Sequence, residues 1–118
     1  DADDIADIAF AALTDDRHNG ELYEVTGPRL MSFDQVTDEI NSASNRKVQY
    51  LPISFDDYRA AATAEVGADF ANMLTDLMTE ILDGRNASIA DGVERALGRP
   101  ARDFSDYCKS TAASGIWE

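Results

Sequence analysis

His18 is the only histidine of the chain. With Asp15 and Asp16 close by in Asp15-Asp16-Arg17-His18-Asn19-Gly20, it invites a metal. A zinc site needs three or four converging ligands, and this turn offers one nitrogen donor beside two carboxylates. The spacing also misses the calcium loop, which ends on a Glu at its twelfth place. The run therefore reads as a solvated turn, with no metal. Asp56-Asp57 resembles the carboxylate pairs of hydrolases, but it follows Ser54 at an expected helix start, where capping accounts for it. Cys108, the lone cysteine, falls in a helical pattern with no base beside it and reads as a buried or half-buried thiol rather than a nucleophile. No residue is assigned a catalytic or cofactor-binding role. What remains are candidates for the wall of a substrate cleft. Gly27 and Pro28 close an expected strand at the end where open parallel sheets bind ligands, and Tyr50, Phe55 and Tyr58 surround the exit from a second strand. A simple turn is the competing reading for Gly27-Pro28, and core packing is the competing reading for at least one of the rings.

The elements that must position these residues alternate at first. Asp3 or Asp4 caps a helix whose Ile5, Ile8, Ala9, Ala12 and Leu13 are spaced as one buried stripe. Leu22 to Gly27 reads as a buried strand, and Gly27-Pro28 breaks it. Ser32-Phe33-Asp34-Gln35 has the form of a capping box and opens a helix carrying Phe33, Val36 and Ile40. Lys47 to Pro52 is a second short strand, ended by proline. Alternation of this kind predicts an α/β fold with a parallel sheet, whose two strands cannot close by themselves. After Pro52 the pattern is helical. One helix starts at Ser54 and runs to about Val66. A second, capped by Asp69, has a broad apolar face of Phe70, Met73, Leu74, Leu77, Met78, Ile81 and Leu82 that calls for a cover. Short helices follow from Asp91 to Leu97 and from Asp103 to Ala113. Two regions are expected, 1–52 with the strand-helix units and 53–118 mostly helical.

Ten basic against 23 acidic side chains leave a net charge of −13, and the acid is concentrated early. Residues 1–45 carry eleven acids and two Arg, while 46–118 carry twelve acids and eight bases. A phosphate backbone meets repulsion in the first part and no basic stripe in the second, which argues against nucleic-acid binding. No apolar run reaches the roughly 18 residues of a membrane span, so the expectation is a cytoplasmic protein without membrane association. Asp1-Ala2-Asp3-Asp4 has the look of a start inside a longer protein.

The order of motifs resembles the C-terminal half of the NmrA-like, atypical short-chain dehydrogenase family of NAD(P)-binding proteins. The matching segments are Asp4-Ile5-Ala6-Asp7-Ile8-Ala9 at a helix start, Tyr23 to Pro28 at a strand end, and the Ser32-Phe33-Asp34-Gln35 helix. The series continues with Val48 to Ser54, Asp91 to Arg95 and Gly98-Arg99-Pro100 before the terminal helix with Phe104. The resemblance implies the C-terminal portion of a Rossmann-like parallel sheet over 1–52, followed by a mostly helical substrate-cleft region. It implies NAD or NADP in the full-length parent and none for this chain, because the Gly-rich phosphate loop of that family lies upstream. The implied partners are the missing N-terminal half of the fold and a small organic substrate, with a homo-oligomer as a further candidate. An NAD(P)-dependent oxidoreductase inactive as a fragment is the leading expectation. The alternatives are a nonenzymatic redox-sensing regulator of the same fold and an acidic protein-interaction module.

Overall fold

The computed structural model describes residues 1–117. They form two compact units: Asp1–Tyr50 together with the segment from Ile89 on, and Leu51–Ser88. Residues 89–117 thus pack with the first fifty.

In the first unit, helix α1 spans Ala2–Thr14, with the Asp1 carboxylate accepting from the Asp3 N–H at 2.8 Å. A 3-10 turn, Asp16–His18, follows. Helix α2, Phe33–Ser44, begins with the full capping box: Gln35 N–H donates to Ser32 Oγ, and Ser32 N–H donates to Gln35 Oε1. Asn45 ends it in the left-handed region at φ 55°. After the second unit come α5, Gly92–Leu97, and α6, Phe104–Ala113, the latter capped by Asp103. α5 packs on α1 and α6 packs on α2. The small core of Ile8, Val93 and Ala96 is flanked by Tyr23, Val25, Leu97 and Ala101.

The expected α/β sheet is corrected here. Among the described residues every regular element is helical, and neither Leu22–Gly27 nor Lys47–Pro52 forms a strand. The reason is that a strand exists only through a backbone ladder to a neighbour. Tyr23 and Val25 do turn toward the core while Leu22 and Glu24 face outward, the alternation of a strand. What is missing is the ladder. At Val48 a side chain takes its place: Asn41 Oδ1 accepts from the Val48 N–H at 2.7 Å, and Asn41 Nδ2 donates to its carbonyl at 2.8 Å.

The stripe on α1 is also redrawn. Asp4 and Ile8 are buried, whereas Ile5, Ala9, Ala12 and Leu13 are exposed, because α5 and the 3-10 turn take only the Asp4/Ile8 side.

The second unit is a helical pair, α3 (Phe55–Val66) and α4 (Ala68–Leu82), joined at Gly67 with φ +82°. Ser54 Oγ caps α3 by accepting from the Asp57 N–H. The pair buries Ala71 and Thr75, and the Thr75 hydroxyl donates to the Ala71 carbonyl. Phe70, Met73, Leu77 and Ile81 stay about half exposed, so α3 covers only one side of the broad face expected on α4. No helix of the described residues is long and apolar enough to cross a membrane.

Candidate functional site

The site grows from the loop that begins at Thr26. Its hydroxyl lies 3.0 Å from the Ala90 N–H, which donates to it, and 3.3 Å from the Ala90 carbonyl. Two residues away, the Gly92 N–H donates to the Glu24 carbonyl at 3.1 Å. These bonds strap 90–92 along 24–26. The approach is so close that only glycine fits at 92: a Cβ there would stand 2.1 Å from the Glu24 oxygen. The strap fixes the root of the Gly27-Pro28 turn, and a cavity opens on either side of that turn.

The larger cavity, about 520 Å³, is walled by Pro28, Met31 and Val36 on one side of the sequence and by Phe104 and Tyr107 of α6. The two rings lie nearly parallel, with centroids 5.7 Å apart. Asp1, Ala2, Gly27, Arg29 and Arg102 complete it. The smaller cavity, about 280 Å³, lies between Gly27-Pro28 and Ile89, Asp91, Val93 and Pro100.

Both guanidiniums at the larger cavity are engaged by the protein's own carboxylates. Arg29 grips Asp103 through Nε and Nη2 at 2.7 and 2.8 Å and reaches Glu39 at 2.6 Å. Asp103 also accepts from the Ser105 N–H at the start of α6. Arg29 and that N–H hold the Asp103 carboxyl far below the ordinary value of 3.8, and the same pairing raises Arg29. Arg102 binds Asp4 at 2.6 Å and Asp7 at 3.0 Å, and Arg99 binds both at 2.7 Å. Burial pushes the Asp4 carboxyl up. The Arg102 N–H at 2.8 Å and the two guanidiniums outweigh that, so its pKa lies below the usual value. Asp7 is lowered by its bonds to Arg102 and Arg99.

Of the residues expected at a cleft, the structure brings Gly27 and Pro28 together at both cavities. Tyr50 lines neither of these and stacks on Phe33 at 5.2 Å. Phe55 and Tyr58 lie in the first turns of α3, in the other unit. Sequence reasoning missed Arg29, Met31, Arg102, Phe104 and Tyr107. One signal for the arginines was present: Asp4 and Asp7 are three apart on a helix, and Arg99 and Arg102 repeat that spacing with opposite charge.

The charged turn at 15–20 is only partly solvated. Asp15, Asp16 and Arg17 are exposed, but His18 is buried at 6% exposure. Arg17 Nε–H donates to His18 Nε2 at 3.1 Å, which makes Nε2 the acceptor and leaves Nδ1–H to donate to Tyr23 Oη at 2.8 Å. Nδ1 ties the turn to Tyr23 at the core, and Nε2 is used within the turn itself. Cys108 is fully buried. Burial first, then Glu39 and Asp103, pushes its thiol above 9.0, the opposite of an activated nucleophile.

A dinucleotide needs helix-start N–H groups free to meet its pyrophosphate. Here each of the six α-helices of the described residues carries an acid in its first turn: Asp3 and Asp4, Asp34, Asp56 and Asp57, Asp69, Glu94, and Asp106. Four of them also have an N–H taken by the Ser or Asp cap. These carboxylates already oppose the positive helix ends.

No family model matches the chain. Known proteins do. The chain is 35% identical over 118 aligned residues to an NAD(P)H azoreductase of Xenophilus azovorans, covering 97% of the chain and 40% of that protein. It is 32% identical to the uncharacterized oxidoreductase YesF of Bacillus subtilis, covering 96% of the chain and 40% of the relative. Its identity to festuclavine dehydrogenase easG of Aspergillus fumigatus is 31%, with 95% and 40% covered. All three are oxidoreductases by name. The chain spans about two fifths of the length of these curated relatives.

Proposed function

We propose that the chain is the C-terminal portion of an NAD(P)-dependent oxidoreductase of the NmrA-like, atypical short-chain dehydrogenase kind, acting on a small organic substrate and inactive by itself. The observation that carries the reading is the alignment of 95–97% of the chain with oxidoreductases two and a half times as long. Two structural features support it. Residues 22–25 have the side-chain alternation of a strand without a ladder, which suits a neighbour supplied by the rest of the polypeptide. The acidic helix starts leave the pyrophosphate to be held elsewhere. In this reading Gly27 and Pro28 form part of the substrate wall. The nicotinamide supplies the hydride chemistry when bound. The residues of this chain position the substrate: the strap at Gly92 and Thr26 fixes the turn, and the Arg29–Asp103 pair fixes α6 against it.

The test compares residues 1–118 with a polypeptide extended upstream, using calorimetry with NADH and NADPH. Saturable binding by the extended protein and none by residues 1–118 is expected. Failure of the extended, folded protein to bind either cofactor overturns the reading.

A further inference from the structure

We draw no further inference here: the strongest candidate, the half-exposed apolar stripe of Phe70, Met73, Leu77 and Ile81 on α4 in the second unit, carries nothing because nothing in the structure shows what covers it.

Discussion

Gly92→Ala tests the packing that holds the candidate site together. The added methyl would lie 2.1 Å from the Glu24 carbonyl oxygen and 2.7 Å from its carbon, inside the 3.0 Å that real Cβ atoms respect. Both atoms are backbone, so no rotamer change relieves the clash and one segment must move. Moving it breaks the Gly92 N–H bond to Glu24, worth about 0.5–1.5 kcal/mol. It also lifts Val93 and Ala96, each 2% exposed, from Ile8, Tyr23 and Val25. Overpacking of this kind costs about 1–3 kcal/mol. The expected loss is therefore about 2–4 kcal/mol, a fall of roughly 1 M or more in the urea midpoint at a slope of about 1–3 kcal/mol/M. Far-UV circular dichroism on the upstream-extended polypeptide reads it. Gly27→Ala is the matched control, with open space around its Cβ and no positive φ, and should change stability by less than about 1 kcal/mol. Equal urea midpoints for Gly92→Ala and the unmodified protein would refute the close approach of the two segments.

Two further outcomes follow from the ion pairs. Asp4→Asn keeps the shape of a fully buried side chain but removes the charge that receives the Arg102 N–H and two guanidiniums; a loss of about 2–4 kcal/mol is expected by urea unfolding, near the lower end of what breaking buried pairs costs because Asp7 still receives both arginines. Asp4, Asp7 and Asp103 all have folded pKa values below the ordinary 3.8, so the folded state holds fewer protons than the unfolded one; their stabilisation is complete above that value and is lost as pH falls from about 4 through the lower folded values. Urea midpoints that stay level between pH 5 and pH 3 would contradict it.

The helices were legible because their starts are written locally. Ser32 with Gln35, Ser54 with Asp57, and Asp103 each announce a helix within four residues, and all three caps form. The sheet was not, because Tyr23-Glu24-Val25 states an alternation but cannot supply a neighbour. The site was half legible. Gly27-Pro28 is local punctuation, and its place at the two cavities could be guessed from the loop. Phe104 and Tyr107 arrive from nearly eighty residues away, carried by the packing of α6 on α2 with the Arg29–Asp103 pair beside it, long-range contacts invisible to any window. His18 misled because a run of charged residues reads as solvated, whereas one buried imidazole bonded to Tyr23 sits inside it.

The interleaving of the first unit governs how it can be made. A ribosome delivers residues 1–50 before 89–117, and until the later segment arrives Ile8 lacks Val93 and Ala96, and Asp4 lacks both arginines. The pair α3 and α4, whose mutual contacts are all local, emerges next and has its packing partner at hand. Only when 89–117 leave the exit tunnel do Val93, Ala96, Arg99 and Arg102 arrive to close on Ile8 and Asp4. Residues 1–50 thus wait on a later segment to become secure, and a premature stop between residues 51 and 92 leaves Asp4 and Ile8 without those partners.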